Sequence, residues 1–251
     1  MSKRIYYNVP CTLFRNYLKN DFCREQVLFD VLTYAVYSEY LRLQDEVFDE
    51  AERFDMACKN MGCKNRSMEQ VLTDGKSLFE SGKGEAFVSL DSDKYWKQVN
   101  EDMTHEERAM FLAWMALKSI QGNKPFAKTC NAMWLSRMDG YSRMRKPSFR
   151  AKNTFSEPVE KYNSKYKCSR LRALLFKYYQ VSSDADGVRG FYFSTSMDMN
   201  RFVATLKAEP KTDVISEFKA AKAAAKAALK GLTHDLAHDL THDLTHDLTL
   251  K

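Results

Sequence analysis

The sequence predicts a mainly helical protein that carries one short β-hairpin and ends in a low-complexity tail. Three observations predict this class. Apolar residues recur at helical spacing in several segments, capping residues precede many of those segments, and a four-residue repeat fills the C-terminus. With 251 residues and a hydrophobic share of 44%, the chain has enough apolar side chains to bury a core.

The first hundred residues are predicted to form an acidic helical region, residues 1–100. A short strand over Ile5–Val9 is stopped by Pro10. A helix over about 24–43 follows, because its apolar residues recur at the spacing of one helix face. These residues are Val27, Leu28, Val31, Leu32 and Ala35.

Three further helices are predicted in the same region. An acidic helix near 45–58 carries Val47, Ala51, Phe54 and Cys58 on one side and ends at Gly62. Ser67 begins a capping box for a helix that runs to about Glu80 and is followed by a loop over 81–84. Asp91 is predicted to cap a short helix through Val99.

The second predicted domain covers residues 104–210 and begins with a core helix. Thr104 and Glu107 can satisfy each other's free amides in a capping box. The helix that follows, 105–121, is apolar over most of its surface. A shorter helix over 130–138 ends at Gly140, and a basic loop without apolar periodicity covers 141–157.

The rest of this domain contains a long helix, a hairpin and a last helix. The long helix, 165–179, places five side chains inward: Cys168, Leu171, Leu174, Leu175 and Tyr178. A turn signal at Asp184–Gly187 leads to the strongest strand signal of the chain, Gly190–Ser194. A final helix, which Ser196 is expected to cap, carries Met199, Phe202, Val203 and Leu206 and ends before Pro210.

The last forty residues differ in composition. Residues 211–231 include a Lys/Ala-rich helix, and residues 232–251 repeat a Thr-His-Asp-Leu unit with His234, His238, His242 and His246. Histidine pairs at this spacing can chelate Zn²⁺ or Ni²⁺. However, a period of four drifts by about 40° per repeat on an α-helix, so the ligands would spiral. The near-identity of the units indicates a tandem expansion, and no metal site is predicted.

Positive charge is concentrated in one stretch, Arg137–Lys177. It holds twelve Lys and Arg against three Asp and Glu, a local net charge of +9, whereas the whole chain carries +6. A clustered basic patch attracts polyanions over about a Debye length. Nucleic-acid contacts are therefore predicted for Arg137 and for the loop residues Arg143, Arg145, Lys146, Arg150 and Lys152. Tyr141 and Phe149 could stack on bases there.

The order of three helices and a hairpin over residues 104–206 resembles a winged helix-turn-helix domain. The resemblance rests on Trp134–Met138 in the second helix, Ser169–Leu175 in the third and Arg189–Phe193 in the wing. It implies a third helix in the DNA major groove and a wing against phosphate. It thereby adds Lys165, Lys167, Arg170, Arg172, Lys177 and Arg189 to the predicted contacts. About twenty residues separate the second and third helices, whereas the family uses ~3–4.

Nothing in the sequence predicts an enzyme or a cofactor. Gly75-Lys76-Ser77 lacks the first glycine of a P-loop, and Asp184–Gly187 lacks the distal glutamate of a calcium loop. Six scattered cysteines, of which only Cys58 and Cys63 are close, predict free thiols in a reducing compartment. No apolar run is long enough for a membrane span, and no secretory signal is recognised, so a cytoplasmic location is expected.

The predicted function is DNA binding, with RNA as a possible ligand, as in a regulator, a replication initiator or an accessory protein of a mobile element. The alternative is a non-enzymatic protein–protein interaction module, an inhibitor or adaptor that binds an acidic partner. The acidic region 1–100 is expected to serve either homo-oligomerisation or a protein partner.

Overall fold

The computed structural model describes residues 4–46, 49–63, 66–145, 154–184 and 190–208. Within these ranges the protein is mainly α-helical, as the sequence predicts. The helices are α1 (Asp21–Arg42), α2 (Glu50–Asn60), α3 (Met68–Gly82), α4 (Ser92–Asn100), α5 (His105–Gln121), α6 (Asn131–Met138), α7 (Glu157–Glu160), α8 (Lys165–Tyr179) and α9 (Met199–Ala208). The strands are β1 (Tyr6–Pro10), β2 (Phe87–Asp91), β3 (Ala127–Thr129), β4 (Ser182–Asp184) and β5 (Phe191–Ser194).

Most of the helices begin at a polar capping residue, near the position at which the sequence predicts a helix. At α5, Thr104 accepts a hydrogen bond from the Glu107 amide at 3.3 Å, and the Glu107 carboxylate accepts one from the Thr104 amide at 2.8 Å, so the predicted capping box is confirmed. Ser67 accepts from the Gln70 amide at 3.4 Å and caps α3. At α9 the cap is Asp198 rather than Ser196, because the Asp198 carboxylate accepts from the Arg201 amide.

Two of the strands, β2 and β3, were not predicted from the sequence. β1 pairs antiparallel with β2, and β3 pairs with β5 in a three-stranded antiparallel sheet of order β3-β5-β4. β3 has three residues, and β2 has five with a single buried face. Such short segments carry little periodicity of their own, and their partners in the sheet stabilise them. The turn predicted at Asp184–Gly187 lies mostly outside the described residues.

α5 is the central helix of the core. Every residue from Ala109 to Leu117 is buried, which confirms the predicted core helix. α5 packs against α6, α8, β2 and β3, so it contacts elements from both predicted regions. Buried residues from 1–100 and from 104–210 accordingly belong to one hydrophobic cluster. Residues 1–204 group into one unit, and the second unit, from Thr205 onward, is described only as far as residue 208.

Two predicted helix faces differ from the structure. Tyr178, which was expected to point inward from α8, is 57% exposed, because the buried line of this helix follows Cys168, Leu171 and Leu175. Ala51 is exposed in α2, which begins at Glu50, after a separate 3-10 turn over Leu43–Asp45. In contrast, the five predicted core residues of α1 are all buried, and so are Phe54 and Cys58 of α2.

The close cysteine pair has a structural explanation. α2 ends at Asn60 and is followed by Gly62 at φ +67°, and the Cys63 amide donates to the Cys58 carbonyl oxygen at 3.0 Å. This is the Schellman motif, in which the side chains three residues before and two residues after the C-cap, here Cys58 and Cys63 on either side of Met61, meet in an apolar contact. All six cysteines are free, as predicted. In the part of the chain that the structure describes, no helix has the length and apolarity to cross a membrane.

Candidate nucleic-acid interface

The candidate interface is centred on α8, whose fifteen residues include five Lys or Arg and no Asp or Glu. Ser164 caps the helix by accepting from the Lys167 amide, and the apolar line Cys168, Leu171 and Leu175 fixes it on the core. The residues opposite that line recur at helical spacing over about 16 Å of helix. They are Tyr166, Arg170, Ala173 and Lys177, and all four are exposed.

The far end of α8 is anchored by aromatic contacts. The ring of Tyr179 stacks on that of Trp114 in α5, with centroids 5.5 Å apart and planes 25° apart. Lys94 of α4 lies with its ammonium group 5.2 Å from the Trp114 ring and 5.7 Å from the Tyr179 ring. These contacts hold the helix rigidly enough to present its outer face as a fixed surface.

The Lys and Arg side chains of α8 differ in how strongly neighbouring residues hold them. Lys165 and Lys167 are exposed. Arg170 forms an ion pair with Glu106 at 3.3 Å, but the two side chains are 63% and 53% exposed. An exposed pair of this kind contributes about 0–1 kcal/mol, so a phosphate group can replace Glu106 at little cost. Lys177 lies beside the exposed ring of Tyr178, at 5.0 Å from its centroid.

Arg172 is directed towards the three-stranded sheet. Its guanidinium carbon lies 4.5 Å from the centroid of the Phe191 ring in β5, and its NH2 group donates to the Ser169 hydroxyl at 3.1 Å. Burial lowers the pKa of the Arg172 guanidinium from its ordinary value, and the group stays charged at neutral pH because an arginine loses its proton only in strongly basic solution. Arg172 therefore joins α8 to the hairpin and lies beside the exposed face rather than on it.

The basic loop after α6 is described only in part. Arg143 is exposed. Arg145 lies 3.6 Å from the buried carboxylate of Asp139, and its guanidinium carbon is 4.6 Å from the centroid of the Tyr141 ring. Arg15 lies at the same distance from that ring, so Tyr141 already has two cationic partners. Lys146, Arg150, Lys152 and Phe149 of this loop lie outside the described residues, as does Arg189 of the hairpin.

Arg137 does not lie on this surface, although the sequence places it among the predicted contacts. It is 7% exposed, and it donates to the Ser119 hydroxyl and to the Ser142 carbonyl oxygen, both at 2.8 Å. Its position near the end of α6 turns it towards α5 and the following loop, where the guanidinium reaches an acceptor on each of them. The predicted contact between Arg137 and nucleic acid is therefore corrected: the buried side chain stabilises the fold and is unavailable to a phosphate.

Two grooves flank the α8 face. One has a volume of about 400 Å³ and lies beside α4, α5 and the C-terminal half of α8, with Lys94, Lys97, Leu174, Tyr178 and Tyr179 in its lining. The other is about 220 Å³ and includes Lys161, Lys167 and Arg170. The sequence did not single out Lys94 or Lys97, since they lie forty residues and more before the basic stretch and only the fold brings them beside α8.

Exposed aromatic rings distinguish α8 from the other helices. Among the described residues, eight large apolar side chains are exposed, and three of them belong to α8: Tyr166 at 77%, Phe176 at 51% and Tyr178 at 57%. In the rest of the described chain, the exposed Tyr, Phe and Trp rings are those of Tyr6, Phe22 and Phe87. A helix surface that combines exposed rings with cations, on a helix without acidic residues of its own, is a candidate ligand surface.

In the ranges that the structure describes, no three His, Cys, Asp or Glu side chains are placed to hold a metal ion, and the histidines of the repeat tail lie outside those ranges. Comparisons with protein-family models, curated proteins and solved structures give no match for this chain.

Proposed function

We propose that this protein binds nucleic acid through the exposed face of α8. The observation that carries the proposal is the exposed line of this helix, in which Tyr166, Arg170 and Lys177 stand opposite the buried residues with no acidic residue on the helix. Each Lys or Arg that meets a phosphate releases condensed counterions, which is the main source of affinity in non-specific nucleic-acid binding.

The order of elements also supports the proposal. α5, α6 and α8 follow one another in this order in the core, with the short α7 between the last two, and β4 and β5 form the hairpin that follows α8; the winged-helix resemblance rests on this order of three helices and a hairpin. The connection from α6 to α8 is much longer than a helix-turn-helix turn and includes α7. In the proposal, this connection brings Arg143 and its basic neighbours to the ligand in addition to the helix.

The competing function is binding of an acidic protein partner. The same three exposed rings favour it, since aromatic and Arg side chains are enriched where protein interfaces have their strongest contacts. The two functions differ in how the affinity for the ligand depends on salt concentration. A polyanion must show a steep and linear dependence of log affinity on log salt, whereas an interface stabilised by apolar rings shows a shallow one.

The test measures binding of the full chain to labelled nucleic acid by fluorescence anisotropy from ~50 mM salt upward. The double variant Lys167→Ala/Arg170→Ala should weaken binding by roughly 5- to 100-fold and reduce the salt slope by about 2, one for each lost phosphate contact. Its matched control, Lys59→Ala/Lys76→Ala, removes two exposed helical cations of α2 and α3 and should leave affinity within about twofold.

Two results decide against the proposal. If the wild-type protein binds neither DNA nor RNA at ~50 mM salt, nucleic-acid binding is excluded and the acidic-partner function takes its place. If the two double variants weaken binding equally, the affinity depends on the net charge of the protein alone, and α8 is not the interface.

A further inference from the structure

We infer that the ligand of the α8 face is single-stranded nucleic acid, whose unpaired bases stack on the exposed rings of Tyr166, Phe176 and Tyr178. This inference rests on the proposed function and specifies its substrate class. It follows from the aromatic component of the surface, which the phosphate-binding cations do not explain.

A duplex gives these rings few partners. In the major groove the base edges present hydrogen-bond donors and acceptors, and the thymine methyl is the main apolar group. A Tyr ring that is 77% exposed and a Phe ring that is 51% exposed would therefore stay largely in water or against phosphates. Unpaired bases instead present both faces, and stacking on aromatic side chains is the usual way in which proteins hold single strands.

The rings and the cations alternate along the helix. Tyr166 stands between Lys165 and Lys167, and Phe176 precedes Lys177 and Tyr178. Tyr166, Arg170 and Lys177 share the outward line, and Phe176 and Tyr178 lie on its two sides, because neighbouring residues of an α-helix are turned by about 100°. A single strand that runs along this line would thus meet the Tyr166 ring and then Arg170 and Lys177, with the Phe176 ring on one side and the Tyr178 ring on the other, so that bases and phosphates could be held at the same time.

The larger groove extends this surface in the direction of α4. Its volume of about 400 Å³ falls within the ~300–1,000 Å³ typical of small-molecule sites. Tyr178 and Tyr179 provide rings on one side, and Lys94 and Lys97 provide cations on the other.

The two carboxylates of this groove are already engaged. The Glu107 carboxylate is held by the amide and hydroxyl of Thr104, and Glu106 pairs with Arg170. While Arg170 keeps its pair with Glu106, a splayed base would therefore enter the groove without meeting a free carboxylate, and its phosphate would be held by Lys94 and Lys97.

The test compares three ligands with the full chain at one salt concentration: a single-stranded DNA, a single-stranded RNA and a DNA duplex, each about 20 nucleotides or base pairs long. Either single strand should bind more tightly than the duplex. Tyr166→Leu and Phe176→Leu remove a ring while keeping an apolar side chain, and each should weaken single-strand binding by roughly 5- to 150-fold. Tyr166→Phe keeps the ring and should retain affinity within about threefold.

Salt dependence separates stacking from charge. The Leu variants should lower affinity at every salt concentration without changing the salt slope, because a ring releases no counterion. Phe22→Leu is the matched control, since Phe22 is 76% exposed on α1, and it should bind as the wild type does.

The outcomes are distinct. Tighter binding of the duplex, or single-strand binding unchanged in both Leu variants, overturns this inference and leaves nucleic-acid binding through α8 in place. Binding of none of the three ligands removes the proposed function and this inference together.

Discussion

Replacing Arg137 by methionine separates the buried cation from the surface cations that neighbour it in the sequence. The variant keeps most of the apolar stem but removes the guanidinium that donates to Ser119 and Ser142 at 2.8 Å each. Ser142 in turn accepts a hydrogen bond from the Ala86 amide at 2.9 Å. The guanidinium therefore links α6 and α5 to the segment that leads into β2.

The magnitude follows from these two hydrogen bonds. A net contribution of roughly 1.5–3 kcal/mol per hydrogen bond to a charged group gives an upper range of about 3–6 kcal/mol. Bonds that share one donor group are not additive, so we expect a loss of about 3–5 kcal/mol in the free energy of unfolding. For a chain of this size, that corresponds to a fall in Tm of roughly 6–20 °C.

The assay is urea unfolding followed by tryptophan fluorescence, combined with nucleic-acid binding at a temperature where the variant is folded. Arg137→Met should lower the unfolding midpoint and leave the affinity of the folded protein unchanged. Arg143→Met is the control, because Arg143 is exposed. It should change stability by less than about 0.5 kcal/mol. An Arg137→Met protein of wild-type stability and weakened binding would refute the burial argument and return Arg137 to the interface.

Two further predictions concern the fold. Gly190→Ala should destabilise the protein by about 3 kcal/mol or more in thermal melts, because φ is +122° and the added Cβ would lie 2.3 Å from the Thr129 carbonyl oxygen; a wild-type Tm would mean that β3 and β5 are not paired there. Burial raises the pKa of Tyr7 and Tyr179 to about 12. The unfolded chain therefore ionises these tyrosines first, and the free energy of unfolding should fall as pH rises from about 10 to 12. Tyrosinate absorbance that rises at the ordinary pKa while the protein stays folded would contradict this.

The structure of the ligand surface explains why the sequence identified it only in part. The charge of α8 is a property of the sequence, and the buried line Cys168, Leu171 and Leu175 follows from helical spacing. The exposure of Tyr178 does not follow from helical spacing, because neighbours in the fold decide whether a residue at the edge of a helix face is covered or exposed. Lys94 and Lys97 join the surface for the same reason, since α4 packs near α5 and α8 through tertiary contacts.

The sequence by itself determined the positions of most helices, their polar caps and the basic stretch, because capping and 3.6-residue periodicity are local properties. Only the tertiary structure decided the pairing of β2 with β1 and of β3 with β5, the shared core of the two predicted regions and the burial of Arg137. Each of these depends on residues far apart in the chain. Arg137, for example, becomes a structural residue only because Ser119 and Ser142 supply acceptors where α5 and α6 meet. A basic residue in a basic stretch carries no local sign of such partners.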